Sequence, residues 1–228
     1  LLNNQDKYSI KAPPYLLFLI LAAANGLFLT LGMLTYAEPF RFWEYPLSDL
    51  GATVTATGIR NGISILFFIC AMLTSCLVMV LLSRRFRGFR RALCLSCAAG
   101  FLISTFPHNI CNPVHSLGAA LMVGSLWGLS VSFLGTLRIR NSVSPFLLGH
   151  ALLQGTILTY AVTFILDSPV KQVSQKLAVL GLLTVLLVMG RNYSILTECR
   201  EENDYCGRRY SRNLKNCLPN SERKRAGK

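Results

Sequence analysis

His108 and His115 flank a short polar stretch, HNICNPVH, and Asp49 lies in another, PLSDLG. Imidazole and carboxylate together can exchange a proton, ligate a divalent metal such as zinc, or hold a polar headgroup by ion pairing. The PLSDLG element belongs to Glu44–Asn61, a turn-rich break that holds two of the chain's ten acids, Glu44 and Asp49. Proline gives it an extended entry. Ser48 or Asp49 has the side chain to cap a following helical turn, and Gly51 allows a turn or a close backbone approach. Two readings of Asp49 follow: a helix cap, or a carboxylate held ready for a ligand.

The elements that must position these groups are apolar. Hydrophobic residues make up 52% of the chain and charged residues only 14%, yet the net charge is +13. A soluble domain carries about a quarter charged residues, so the deficit places the chain in the membrane class. Six apolar runs approach the ~20 residues that a membrane-crossing helix needs. They are Tyr15–Tyr36, Ile63–Leu82, the shorter Ala92–Phe106, His115–Leu137, Phe146–Leu166 and about Val173–Met189. Arg90 and Arg91 are expected to snorkel and make up the mismatch of the third run. The first run is too long for a signal peptide and is read as retained. The chain begins at Leu1, the expectation for a processed or longer chain.

Counting Lys and Arg on alternate sides puts nineteen of the 23 on one face and four on the other, Arg41, Arg60, Lys171 and Lys176. The positive-inside rule makes the richer side cytoplasmic. The expected fold is an all-α, six-helix transmembrane bundle with both termini cytoplasmic. Residues 1–13 form a cytoplasmic segment, 14–191 the membrane domain, and 192–228 a basic cytoplasmic tail. The expected location is a multi-pass position in the cell membrane or an endomembrane. The charge is explained by orientation, so nucleic acid is not an expected partner. Membrane lipid is, at about 1 kcal/mol for each tail Lys or Arg near an anionic surface. The sequon at Asn192 should stay unglycosylated on this threading, and Cys199 is a weak palmitoylation candidate.

This threading gathers Ser48, Asp49, Arg60, His108, His115 and Asp167 at the outer face, the candidate binding cluster. His115, Asp49 and Asp167 are the candidate ligands should a divalent metal bind; otherwise no cofactor is expected. His150 would lie near the other face, on the order of 25 Å away across a 30 Å core, so three histidines cannot share one ion. Cys94-Leu-Ser-Cys97 matches a redox spacing, but its apolar setting favours packing. Asn25 and Gln154 are expected to hydrogen-bond between helices. Ser116, Ala120, Gly124, Gly128, Ser132 and Thr136 recur every four residues as a small-residue stripe. Internal packing is its expected use; homo-oligomerisation through the Ala120/Gly124/Gly128 face is the alternative.

SDLGAT ahead of the second run, with FP and then HSLGAA opening the fourth, resembles the six-helix membrane proteins of domain-of-unknown-function family 998. The resemblance covers about Pro14–Met189 and singles out Ser48, Asp49, Gly51, Pro107 and His115. Many members have a charged pair before the last span, where this chain has Gln175-Lys176. The family carries no established activity, so the resemblance implies a fold and these positions, and no reaction. A more distant likeness is to the Frag/DRAM/Sfk group, associated with lipid and GPI-anchor biology and with autophagy. Three functions compete at this point. One is a non-enzymatic protein whose outer site binds a lipid headgroup or small solute. The second is a metal-dependent hydrolase acting on lipid at the outer leaflet. The third, a transporter, lacks the broken helices and midplane acids of a coupled carrier.

Overall fold

The computed structural model describes residues 14–139, 143–188 and 190–191. Within them the chain forms six α-helices: α1 Pro14–Leu34, α2 Gly62–Ser83, α3 Gly88–Ile103, α4 Asn112–Ile139, α5 Val143–Ile165 and α6 Lys171–Val188. The N-terminal segment with Lys7 and Lys11, Arg140, and the tail with Asn192 and Cys199 lie outside the described residues. All helices but α3 are long and apolar enough to cross a membrane. At 16 residues, α3 reaches about 24 Å at 1.5 Å per residue, short of a ~30 Å core. It is sheltered between α2 and α4, with Cys94 and Cys97 fully buried. The Cys97 thiol points to the Met122 carbonyl at 3.8 Å, and neither cysteine is in a disulfide.

The polarity pattern is that of a protein whose solvent is lipid. Ser64, Ser75 and Ser130 are fully buried, whereas Leu148 is 72% and Ile165 79% exposed. In water such an outer wall would aggregate. Inside, the small hydroxyls are satisfied by backbone carbonyls: Ser75 donates to Ala71 O at 2.7 Å, and Ser130 to Leu126 O at 2.8 Å. The polar residues expected to join helices do so. Asn25 Nδ2 donates to Ser75 Oγ at 2.7 Å, linking α1 to α2. Trp127 Nε1 donates to Gln154 Oε1 at 3.0 Å, linking α4 to α5. These are the features of an integral membrane protein.

Two expectations about packing are corrected. The closest approach of α3 and α4 uses Gly100 and Gly118, outside the period-four stripe, whereas the stripe's own Gly128 and Ser132 face α3 at Leu93 and Arg90. A Cβ on Gly100 would lie 2.5 Å from Met122 N, and one on Gly118 2.6 Å from Ser104 N. Ser116, Ala120 and Gly124 are exposed instead, and nothing stands within 4 Å of a Cβ on Gly124. Gly118 is two residues, about 200° of helix rotation, from that stripe. The second correction concerns Arg90, which does not snorkel outward. Its Nε and Nη2 reach Ser132 Oγ at 3.1 Å and Ser132 O at 2.7 Å on α4.

The remaining helices close the bundle. Phe18 of α1 meets Phe133 of α4 edge-on at 6.0 Å. A Cβ on Gly181 would run into Thr156 of α5, and one on Gly190 into Phe18 of α1, so the last helix lies between them. That arrangement brings the α1–α2, α3–α4 and α5–α6 connections to one end.

Candidate functional site

The long α1–α2 connection, residues 35–61, folds over that end. Pro46 is extended, at φ −67° and ψ 151°, and leads into a single 3-10 turn, Leu47–Gly51. No side chain caps this turn, so the cap reading of Ser48 and Asp49 does not describe it. The turn is held by groups arriving from elsewhere. Asn61, 1% exposed, directs Nδ2 at the carbonyls of Asp49, Leu50 and Ala52, at 3.4, 3.3 and 3.0 Å. Ser64 Oγ donates to Leu50 O at 3.1 Å. Gly51 is required for a physical reason: a Cβ there would stand 2.4 Å from the Phe68 ring.

Asn109 ties this loop to the α3–α4 connection. It accepts from Thr53 N at 3.1 Å and donates to Thr53 Oγ1 at 2.8 Å. With the two connections joined, Asp49 Oδ1 sits 3.5 Å from His108 Nε2. Behind His108 stands His115, with ring centroids 5.8 Å apart and edge-on. The buried His115 places Nδ1 2.9 Å from Phe106 O. With a carbonyl as acceptor, that nitrogen carries the proton. His115 thus fastens the start of α4 to the turn that carries His108 and acts as a positioning residue.

The third contributor comes from α6. Lys176, only 8% exposed, donates from Nζ to Tyr45 O at 2.8 Å and Gln172 O at 3.1 Å, and lies 5.0 Å from the centre of the Phe42 ring. Its neighbour Gln175 accepts from Leu47 N at 3.4 Å. The Gln175-Lys176 pair therefore supports the loop that carries Asp49. Sequence reading passed over Lys176 as one of four outer charges. The signal was an isolated ammonium inside an apolar helix, where an ionisable group calls for a partner.

Asp49 and His108 are both partly open to solvent, at 20% and 29% of the side chain. Burial pushes the Asp49 carboxyl above its usual value of 3.8, although His108 and Lys176 pull it down. Tyr36 nearby is pushed up to about 12 by burial and by the charges of Asp49 and Glu38. His108 Nδ1 is buried with no hydrogen-bond partner. The pair therefore has a carboxylate near the surface and an imidazole with one nitrogen facing it.

The other predicted site residues are placed differently. Ser48 is half-buried on the 3-10 turn beside Asp49. Arg60 is exposed, its backbone bridged to Val54, and it makes no ion pair among the described residues. Asp167 is in the left-handed region at φ 47°, and its exposed carboxylate is paired with Lys171 one turn on. That ammonium holds it below the usual carboxylate range. His150 is one turn from Phe146 on α5 and stacks against it at 4.6 Å. Among the described residues no three His, Cys, Asp or Glu side chains are arranged to hold a metal ion. The candidate ligands His115, Asp49 and Asp167 form no such group, and Asp167 is paired with Lys171 instead.

The raised Asp49 value makes a test of the electrostatics. An acid with a folded-state pKa above its unfolded one folds better when neutral. That contribution is fully present below the ordinary value of 3.8 and is lost as pH rises through the raised folded value. Asp49→Asn, permanently neutral, should raise the thermal midpoint in detergent at pH 7, with the gap closing as pH falls toward about 4. A gap that stays constant over this window would show that Asp49 is not held against its solvation.

Comparison with known protein families, with curated proteins and with solved structures finds no match for the chain.

Proposed function

We propose that the protein is a non-enzymatic integral membrane protein that binds the polar headgroup of a membrane lipid at the Asp49–His108 pair. The observation that carries this reading is the convergence itself. Asp49, His108 and Lys176 come from three separate parts of the chain to one end of the bundle, where Asp49 is held at a cost in solvation. A network that served stability alone would gain from a neutral residue at Asp49. Headgroup donors, or a headgroup amine, would meet the carboxylate, which His108 Nε2 faces from the other side at 3.5 Å.

The surroundings favour lipid over a soluble solute. Phe42, Trp43, Phe106 and Ile110 are exposed in the two connections that carry the pair. Trp43 among them is a side chain of the kind enriched at the membrane interface. A lipid lying there puts its headgroup level with Asp49 and its chains along the apolar wall. On the charge asymmetry of the sequence, this end faces away from the cytoplasm.

The experiment is to purify the protein in mild detergent and identify retained lipid by native mass spectrometry. Wild type should keep one lipid class at about one molecule per chain, and Asp49→Asn and His108→Ala should each lose it about tenfold, as expected for one charge-assisted contact. Wild type and variants carrying the same lipids in the same amounts would count against the proposal.

A further inference from the structure

At the opposite end of the bundle the α2–α3 turn and the first turn of α3 carry Arg84, Arg85, Arg87, Arg90 and Arg91, with no acid among residues 84–91. A concavity of about 570 Å³ opens there, lined by Arg85, Phe86, Arg87, Phe89, Arg90 and Ser132. Arg90 builds its wall: bonded to Ser132, its guanidinium also lies 4.7 Å from the centre of the Phe133 ring. Arg85, half-buried, and Arg87, exposed, make no ion pair among the described residues.

Backbone donors open onto the same place. Arg87 precedes α3 in an extended conformation, and no side chain caps the first turn of that helix. Gly88, at φ +57°, turns the chain into it. The leading N–H groups of a helix have no partner within it and carry partial positive charge, a natural seat for an anion. Guanidinium groups add planar, paired donors that match phosphate oxygens. Beside them Phe89 is 68% exposed, an apolar surface where α2, a helix long enough to cross the membrane, ends.

We propose that this concavity binds the phosphate of an anionic membrane phospholipid, with Arg85, Arg87 and the first amides of α3 on the phosphate and Phe89 against the acyl region. Positive charge that makes no ion pair among the described residues selects an anion, and the exposed aromatic ring at the end of a spanning helix selects a lipid over a soluble phosphate. This site is separate from the Asp49–His108 pair and does not depend on it.

The test uses full-length protein in a neutral detergent, titrated with phosphatidic acid and with phosphatidylcholine of the same acyl chains and followed by native mass spectrometry. Wild type should bind phosphatidic acid about tenfold more tightly, and Arg85→Gln/Arg87→Gln should abolish that preference, as expected for two basic groups close to a lipid anion. Arg208→Gln/Arg209→Gln, which removes the same charge from the tail, should leave it intact. If the double variant fails to fold, Arg87→Gln alone removes an exposed side chain without an ion pair and should weaken the preference about threefold. Equal binding of the two lipids, an undiminished preference in the loop variants, or an equal loss in the tail variant would overturn the proposal. So would glycerol 3-phosphate displacing the lipid at matching concentrations, which would make the site one for soluble anions.

Discussion

Gly100→Ala is expected to destabilise the protein by about 3 kcal/mol or more, at the upper end for overpacking. The added Cβ would stand 2.5 Å from Met122 N and 2.9 Å from Gly118 O, both backbone atoms of α4. No rotamer change relieves such a contact, so α3 and α4 must move apart. That movement would also open the Cys97 and Phe101 face of α3, which is buried in the shared core. Gly124→Ala is the matched control, because nothing stands within 4 Å of its Cβ. Thermal unfolding of both variants in the same detergent gives the comparison. Equal midpoints would mean that the two helices are not as close as described.

Asn61→Ala is expected to cost about 2–4 kcal/mol, and to act locally on the site. Its amide is the group that reaches the carbonyls of Asp49, Leu50 and Ala52 at once. Removing it leaves buried carbonyls without that donor and frees the turn that holds Asp49 beside His108. Hydrogen exchange should show faster exchange at Ala52 and Asn61, whose amides donate to Asp49 O and Thr53 O. A loss under about 1 kcal/mol with unchanged exchange would show that the turn is held by other means.

Much of this architecture was legible in the sequence because apolar run length and helix formation report the same constraint. Every run became a helix, with ends shifted by a few residues where Asn112 and Gly62 open helices earlier than hydropathy alone indicates. Asn25 and Gln154 were legible because a lone amide in an apolar helix has few satisfactory environments other than another helix. Gly51 was legible as a close approach, although its partner Phe68 was not. The stripe on α4 packs internally only toward its C-terminal end, where Gly128 and Ser132 meet Leu93 and Arg90 of α3. A period of four drifts about 40° per step around a helix, so Ser116, Ala120 and Gly124 turn outward and Gly118 makes the close contact there.

At the site the sequence located the two connections and the identities of Asp49, His108 and His115. It did not show that His108 would be the direct partner of Asp49, with His115 behind it. Lys176 and Asn109 were missed because their roles depend on how separate helices dock. Lys176 meets Tyr45, and Asn109 meets Thr53, across long stretches of chain. Asp167 was drawn into the cluster by depth alone, while the spacing to Lys171 at one helical turn supplied a nearer partner.

Asp49 and His108 are proposed to act together on one lipid headgroup. A double-mutant cycle of Asp49→Asn and His108→Ala, read in one detergent and buffer as affinity for the lipid that wild type retains, tests this pairing. A coupling of about 1 kcal/mol or more is expected, the double variant losing clearly less than the two single losses combined. Strictly additive losses, or no loss in either single variant, would contradict it.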